Sequence, residues 1–321
     1  MSVIPLNHNF PFDLNIRPST SSATRSEDTR FGEIAQASAI SKFGIAGRVW
    51  EASYILLSYL DCSNRDAPDQ LEFDPPPFTR MACADPLTII ELGSGTGLIA
   101  SRIAEHLRVD RDLLLATDLP DVCGLLEGNL QACPAIRVQP LTWGSTEAAV
   151  ALAIFLGLTT PGANEAHSPR HPTHIICSDL VYFPALLAPL LRTLLHVTSP
   201  PFRSPAGESA VIVISYKIRS LPKETPFWSA FGLWFEYAPV LALRVGLEAG
   251  AWCRFPITLD GEDESYVFVA RRRSESRTWT IPENDRDLLA GVGAWGTSEG
   301  KVDDSFETML LMSLNPVYDY N

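Results

Sequence analysis

The sequence has no apolar run long enough to cross a bilayer. Its longest, AAVALAIFLGL at 148–158, falls short of the roughly 20 residues that a transmembrane helix needs and is better explained as a buried helix. The first residues, MSVIPLNHNFPFDLN, contain neither a basic segment nor an apolar one behind it, so we expect no signal peptide. We therefore expect no membrane partner and a cytoplasmic protein, with the nucleus as the alternative compartment.

Cysteines and basic residues are also scarce. The 321 residues include 6 cysteines, none in a C-x-x-C pair, which suits reduced, buried thiols better than a zinc site or a disulfide framework. Lys and Arg number 25 against 38 Asp and Glu, a formal net charge of -13. A non-specific nucleic-acid binder needs a basic surface, so we expect no nucleic-acid partner. An acidic surface suits a basic protein partner, although many soluble proteins are simply acidic.

Three histidines lie close together in the sequence and could form a metal site. His167, His171 and His174 have the spacing H-x3-H-x2-H. They lie among prolines in a predicted loop, without a cysteine partner, which favours a surface loop. We therefore expect no metal.

The chain divides into a lead-in, a domain and an extension. Residues 1–40 are rich in Ser, Thr and Pro, which predicts a flexible, extended lead-in. The domain is expected over 41–273, beginning with a cap whose helix lies within 43–60 and a proline-rich linker at 61–86. The extension at 274–321 is polar with a few large apolar residues, and its pattern does not predict where it lies.

From residue 87 the pattern alternates between strand and helix. Strands are predicted at 87–92, 112–118, 136–143, 175–179, 209–217 and 266–273, and helices at 97–107, 121–132, 148–156, 183–197 and 223–235. Runs of Val, Ile and Leu alternating with helices are typical of parallel strands that are covered on both faces. We therefore expect an α/β fold with a doubly wound, mostly parallel sheet.

A glycine loop, ELGSGTG at 91–97, joins the first of these strands to a helix. Gly93 and Gly95 permit a tight turn and close backbone approach to a ligand at the helix N-terminus. The third glycine comes one residue too early for a dinucleotide fingerprint. Asp118 ends the next strand, where a carboxylate can accept from both ribose hydroxyls. Its alternative role is an N-cap of the helix near 121.

Five segments together resemble one known family. They are GRVWEAS at 47–53, ELGSGTG at 91–97, LTWG at 141–144, SDLVY at 178–182 and SYKIRSLPKETPFW at 215–228. The sequence resembles the class I (seven-β-strand) S-adenosylmethionine-dependent methyltransferases, and among them the methyltransferase-like protein-lysine methyltransferases with a D-x-x-Y motif. The resemblance covers roughly 43–273 and implies a Rossmann-like sheet of seven strands.

The resemblance implies S-adenosylmethionine as the cofactor and assigns residues to its site. Trp50 closes over the methionine side, Gly93, Ser94 and Gly95 line the cofactor, Asp118 holds the ribose, Trp143 lies by the adenine, and Ser178 backs the pocket. Aromatic faces suit both an adenine and a sulfonium cation. Ordinary core packing is the alternative for the two tryptophans.

Asp179 and Tyr182, in HIICSDLVYF at 174–183, are the predicted catalytic residues. Ligands of an open parallel sheet bind beyond the carboxyl ends of its strands, so Asp179 should face the methyl donor. A lysine amine, with a pKa of about 10.4, arrives protonated, and a carboxylate can orient it. Tyr182 can hydrogen-bond the amine or form an aromatic wall. A cap of the helix near 184 is the alternative for Asp179.

The residues between these two select among nucleophiles. Methyltransferases of this fold that act on adenine or glutamine amino groups use [DN]-P-P-[YF], in which the prolines shape a slot for a planar group. Leu180 and Val181 stand in place of both prolines, which favours a lysine amine.

The sequence thus predicts a protein-lysine N-methyltransferase that acts as a monomer. Translation elongation factor 1-alpha is the expected substrate protein, because the family includes enzymes of elongation factors and a basic factor suits an acidic enzyme. Two alternatives stay open, a small-molecule N-methyltransferase and a catalytically silent cofactor-binding scaffold.

Overall fold

The computed structural model describes residues 15–19, 28–60, 71–80, 85–159, 168–244, 251–256 and 264–314. The helices are α1 (Glu33–Phe43), α2 (Glu51–Leu60), α3 (Leu98–Ala104), α4 (Pro120–Leu130), α5 (Thr146–Phe155), α6 (Pro184–Val197), α7 (Leu221–Trp234), α8 (Asp285–Leu289) and α9 (Ser305–Leu314). The strands are β1 (Leu71–Asp74), β2 (Thr88–Leu92), β3 (Leu113–Asp118), β4 (Ile136–Pro140), β5 (His174–Ser178), β6 (Val211–Lys217), β7 (Phe235–Pro239), β8 (Leu241–Arg244), β9 (Cys253–Arg254) and β10 (Ser265–Arg272).

The main sheet has seven strands in the order β4-β3-β2-β5-β6-β10-β7. The first five are parallel to one another, and β10 runs antiparallel to both of its neighbours. Every residue of β2 is buried, as expected for a strand covered by helices on both faces. The predicted doubly wound, mostly parallel, seven-stranded sheet is therefore confirmed.

The chain changes direction across this sheet between β2 and β5. From β2 it moves outward to β3 and β4, then returns to β5 on the other side of β2. Such a switch point leaves a crevice at the carboxyl ends of the two strands, where ligands of open α/β sheets bind. The glycine loop follows β2 and Asp179 follows β5, so both reach this crevice.

The cap begins earlier than predicted. Helix α1 starts at Glu33, inside the lead-in that we expected to be extended. A buried amide holds it in place, because Gln36 accepts from the backbone N–H groups of Ser19 and Val49 and donates to the carbonyl of Phe31. Ser19 and Val49 are distant in sequence from Gln36. The local composition, which is rich in Ser and Thr, therefore gave no indication of the helix. The next helix, α2, lies within the predicted 43–60.

Several predicted element boundaries differ from the structure by one to three residues. The strand at 136–143 ends at Pro140, and the strand at 175–179 ends at Ser178. Helix α7 stops at Trp234, and the next five residues form the edge strand β7. Its aromatic residues continue the spacing of α7, so periodicity alone extended the helix.

The segment after β10 packs on the main core. Phe306 of α9 is fully buried and stacks on Trp228 of α7, with ring centroids 5.0 Å apart. Arg192 of α6 donates to the carbonyl of Pro282 at 2.5 Å and pairs with Asp285 at 2.9 Å. The described part of the extension, up to residue 314, thus shares the core of the sheet.

No helix within the described ranges is both long and apolar enough to cross a membrane. The segment at 148–158, the longest apolar run, lies mainly in α5, which buries Ala149, Leu152 and Ala153. This face packs into the core between α5 and α6.

Candidate active site

A cavity of about 340 Å³ opens at the carboxyl ends of β2, β3, β4 and β5. It has the size and position expected of a small-molecule site. Every predicted site residue lines it, namely Trp50, Gly93, Ser94, Gly95, Asp118, Trp143, Ser178, Asp179 and Tyr182. The structure therefore brings the predicted residues together, and the role of each toward a ligand stays a prediction.

The glycine loop is shaped by close contacts that exclude a side chain. Gly93 has φ 59° and Gly95 has φ 53°, in the left-handed region that favours glycine. A Cβ at Gly93 would lie 2.9 Å from the indole of Trp143, and one at Gly95 would lie 3.0 Å from the carbonyl oxygen of Ala46. The loop is thus pressed between the cap and the turn after β4.

Ser94 fastens this loop to β3. Its backbone N–H donates to the carbonyl of Thr117 at 2.9 Å, and its Oγ accepts from the Thr117 N–H at 3.1 Å. These two hydrogen bonds between Ser94 and Thr117 fix the position of the glycine loop relative to β3.

Asp118 lies at the end of β3 with its carboxylate toward the glycine loop. Its Oδ2 accepts from the Gly95 N–H at 2.8 Å and its Oδ1 from the Leu119 N–H at 2.7 Å. Helix α4 begins at Pro120 with Leu119 as its N-cap, which excludes the capping role for Asp118. Burial raises the pKa of Asp118, and the two N–H bonds oppose that rise. A carboxylate has about four acceptor positions, so two remain for a ligand.

Glu91, the last-but-one residue of β2, is a site residue that the sequence analysis missed. It is 2% exposed and lines the cavity, and its Oε2 has no hydrogen-bond partner among the described residues. Burial raises its pKa to about 8, and the neighbouring Asp118 adds to the rise. The side chain is therefore a neutral acid at pH 7. Its position in ELGSGTG pointed to the site, but only the structure shows that its carboxyl oxygen is buried without a hydrogen-bond partner among the described residues.

The two tryptophans enter the cavity from opposite sides. Trp143 lies in the turn after β4, which Gly144 stabilises at φ 80° by donating its N–H to Thr193 at 2.8 Å. Trp50 lies just before α2, and its Nε1 donates to the carbonyl of Ile45 at 3.1 Å. Both side chains are partly exposed and line the cavity, so core packing alone does not account for them.

Ser178 belongs to a row of hydroxyl groups behind the cavity. Its Oγ lies 2.9 Å from that of Ser53 in α2 and 3.2 Å from that of Ser215 in β6. Because Ser178 and Ser215 are register partners in adjacent parallel strands, the row links the cap to the sheet.

Asp179 leaves β5 in a left-handed conformation, φ 61°, which is uncommon for a non-glycine residue. Its N–H donates to the carbonyl of Ser215 at 2.8 Å, and its side chain is fully buried. Arg219 binds both carboxylate oxygens, at 2.6 Å and 2.5 Å. The N-cap of α6 is Phe183, so the capping role for Asp179 is excluded.

Arg219 and Glu51 were not predicted as site residues. Arg219 follows β6, and its Nη2 lies 3.6 Å from Glu51 Oε2 at the start of α2. Burial lowers the pKa of Arg219, but the bonds to Asp179 and the charge of Glu51 outweigh it and shift the pKa upward. A signal was available for the arginine, because residues that follow adjacent parallel strands meet at the same edge of a sheet.

Tyr182 lies beside the cap. Its ring is nearly parallel to that of Trp50, with 14° between the planes and 6.5 Å between centroids. Burial raises the pKa of Tyr182, and the charges of Asp118 and Asp179 raise it further. The phenol is therefore a neutral hydrogen-bond donor at physiological pH.

The histidine cluster is not assembled in the described part of the chain. His174 lies in β5, with its ring 4.3 Å from that of Phe78, and His171 Nδ1 is 3.3 Å from the carbonyl oxygen of Phe202. His167 lies outside the described residues. Among the described residues, no group of three or more His, Cys, Asp or Glu could hold a metal ion.

Residues 33–154 match the family model described as lysine methyltransferase. The matched segment runs from α1 through α5 and includes the glycine loop, but it stops before Asp179. It therefore covers the cap and the β2–β4 side of the cavity.

Solved methyltransferase structures are similar to this chain at low identity. CurJ carbon methyltransferase is 16% identical with a TM-score of 0.35, over 63% of this chain and 52% of its own. The 23S rRNA methyltransferase ErmE is 16% identical with a TM-score of 0.31, over 70% and 67%. Fibrillarin from Aeropyrum pernix, with natively bound S-adenosyl-L-methionine, is 13% identical with a TM-score of 0.34, over 58% and 66%. The chain spans about half the length of the first of these structures.

The sheet and the cavity at its switch point define a Rossmann-like α/β fold with a small-molecule site. The segment 33–154 within it is similar to the lysine methyltransferases, whose cofactor is S-adenosylmethionine.

The cavity residues fit this cofactor. Asp118 keeps acceptor positions for ribose hydroxyls, and Gly93 lines the cavity with backbone alone. The Oε2 of Glu91 offers a buried polar partner without one of its own among the described residues. Trp143 and Val122, which both line the cavity, are apolar side chains of the kind that contact an adenine.

Proposed function

We propose that the protein is a protein-lysine N-methyltransferase. The observation that carries this proposal is the setting of Asp179, a fully buried carboxylate that lines the same cavity as the paired rings of Trp50 and Tyr182. A carboxylate and aromatic faces are the groups that bind an alkylammonium. The family match supports a lysine acceptor by its description.

When bound, S-adenosylmethionine supplies an electrophilic methyl group that a neutral amine accepts by in-line displacement. The protein's task is to position that amine and to keep water out. Asp179 can attract and orient the incoming ammonium once Arg219, which binds both of its oxygens, moves aside. A carboxylate also raises the pKa of an ammonium, so it need not be the base. Tyr182 stays neutral and can donate to or flank the amine. The ammonium must lose one proton to solvent before transfer, because only the neutral amine has a lone pair to accept the methyl group.

The residues between Asp179 and Tyr182 support an alkyl amine over a planar acceptor. Leu180 and Val181 are both buried, with 5% and 1% exposed. They bring no proline to shape a flat slot for a base or an amide. A lysine side chain, which is narrow and flexible, fits beside Leu180 and Val181 better than a planar base or amide does.

Translation elongation factor 1-alpha is our proposed substrate protein. A basic factor complements a chain with a net charge of -13 and would be attracted to it over long range. We further propose that the enzyme acts as a cytoplasmic monomer. The alternatives are a small-molecule N-methyltransferase and a silent cofactor-binding scaffold.

A labelling experiment separates these three functions. The purified protein is incubated with methyl-labelled S-adenosylmethionine and a cell lysate, and label is measured in protein and in the small-molecule fraction. The proposal predicts label in one protein band, absent with Asp118→Asn, which weakens cofactor binding. Label only in the small-molecule fraction would support the first alternative, and cofactor binding without any transfer would support the second.

A further inference from the structure

The position that a substrate cation would take beside Asp179 is filled by the protein itself. Arg219 donates from Nη1 to Oδ1 and from Nη2 to Oδ2, at 2.6 Å and 2.5 Å. Since the Asp179 side chain is fully buried, an ammonium cannot pair with it while both oxygens face this guanidinium.

Arg219 also has a second carboxylate within reach. Its Nη2 lies 3.6 Å from Glu51 Oε2, and its guanidinium carbon lies 5.4 Å from the centre of the Trp50 ring. Glu51 is more exposed than Asp179, with 39% of its side chain accessible, and also pairs with Arg48. The guanidinium thus spans an inner and an outer carboxylate along one aromatic face.

The backbone of this arginine is held, because its N–H donates to Glu224 Oε2 at 3.2 Å, so only its side chain can move. Leaving Asp179 would also break the bond from Nη1 to the carbonyl of Lys217 at 3.1 Å. Arg219 follows β6 and precedes α7, so it belongs to a short connection and not to a regular element. Its side chain is 29% exposed, whereas that of Asp179 is fully buried. Rotation toward Glu51 would uncover Asp179 without moving a strand.

We infer that Arg219 is a specificity-determining residue that occupies the acceptor subsite and gives way only to another cation. A buried carboxylate without a partner is strongly unfavourable, so the site holds a positive charge before and during acceptor binding. An ammonium can replace the guanidinium as it shifts to Glu51. A neutral acceptor cannot, because it would leave Asp179 unpaired. The inference deepens the proposed function and rests on it for the lysine.

The test measures binding of n-butylammonium, the charged end of a lysine side chain, in the presence of S-adenosylhomocysteine. Saturation-transfer NMR gives its Kd for the native protein and for Arg219→Met, which keeps an alkyl chain against Trp50 but removes the charge. We expect at least fivefold tighter binding by the variant and no gain for n-butanol. Equal or weaker binding of n-butylammonium would overturn the inference.

Two further variants complete the design. Lys223→Met removes an exposed positive charge four residues away and is expected to leave the n-butylammonium Kd unchanged, so that general charge effects are measured. Arg219→Lys, which cannot bind both oxygens in the same fork, is expected to tighten binding less than Arg219→Met and gives a readout if the latter fails to fold. Unchanged affinity for S-adenosylhomocysteine reports folding.

This readout is independent of methyl transfer. If the native enzyme labels no protein but Arg219→Met binds the ammonium more tightly, the proposed function is wrong and the cation subsite stands. If the native enzyme labels a protein lysine and the variant shows no tighter binding, only the role of Arg219 is wrong.

Discussion

Asp179 combines a left-handed backbone, full burial and a two-point bond to a guanidinium. A buried carboxylate is compatible with a stable folded protein only while a charged or hydrogen-bonding partner compensates its charge. The carbonyl of Ser215 holds its N–H and so fixes where the carboxylate points. At the scale of single residues, this is the group on which we propose that acceptor binding depends.

Asp179→Asn is expected to lower kcat/KM at least a hundredfold while leaving the cofactor affinity within a few-fold of native. Removing one charge of a buried pair costs about 3 kcal/mol, or roughly a hundredfold in kcat/KM. Steady-state kinetics and calorimetric titration with S-adenosylhomocysteine measure the two effects separately. Normal transfer by this variant would remove the role given to Asp179.

Glu91 predicts a pH dependence of stability. The folded protein keeps this carboxyl protonated up to a pKa of about 8, whereas the unfolded chain loses the proton near 4.5. Between these values the folded state binds more protons, so raising the pH destabilises it, by about 3 kcal/mol from pH 5 to pH 8. In urea titrations Glu91→Gln should flatten this slope. Identical slopes for the two proteins would contradict the buried, neutral carboxyl.

At the scale of elements, apolar runs and turn residues made most of the sheet predictable. The apolar runs in β2, β3, β5 and β6 are continuous, so the pattern predicts where these strands lie along the chain and that they belong to a parallel sheet. Strand β7 was not predicted because its aromatics extend the period of α7. Helix α1 was not predicted because what orders it is a buried amide, Gln36, with distant partners.

The site shows the same division. Residues on the glycine loop and at strand ends were predictable, because the carboxyl edge of a parallel sheet collects them. Arg219 also follows a strand and so lies at this edge, but its pairing with Asp179 depends on β5 lying beside β6, which the sequence pattern does not show. Glu91 was missed for a different reason. Its place in the sequence motif does not show that one of its carboxyl oxygens lacks a hydrogen-bond partner among the described residues.

The glycine loop supplies a prediction at this scale. Gly93→Ala should weaken cofactor binding at least tenfold, because its φ is positive and a Cβ would lie 2.8 Å from Leu180 Cδ2. Gly124→Ala in α4 is the matched control, since a Cβ there meets no atom of the described residues within 4 Å. It should leave affinity unchanged and stabilise the helix by about 0.5–1 kcal/mol. Equal affinities of the two variants, by calorimetry, would contradict the tight turn.

At the scale of the whole molecule, the cap and the extension pack on opposite faces of the sheet. Helix α2 shares the core that contains Val213 and Val267, and α9 shares the core that contains Tyr216 and Phe268. Ser53 of α2 reaches the row of hydroxyls behind the cavity, and Phe306 of α9 lies in the aromatic cluster around Trp228. The family match covers the first of these parts and not the second. The extension is therefore a structural part of this chain beyond the matched segment.

Phe306→Ala should destabilise the protein by about 3–5 kcal/mol, as expected for deleting a fully buried aromatic ring. Leu311→Ala on the same helix removes a side chain that is 65% exposed and should change stability by less than about 0.5 kcal/mol. Chemical denaturation of both variants measures the difference. Equal stabilities would mean that α9 does not share the core.

Mass spectrometry of the methylated product tests the central claim most directly. The native enzyme and Asp179→Asn are each incubated with S-adenosylmethionine and a lysate, and the labelled protein is fragmented to locate the added methyl group. We predict a methyl on a lysine Nζ with the native enzyme and none with the variant. A methyl on a planar amide, a guanidinium or a nucleotide base would contradict the account.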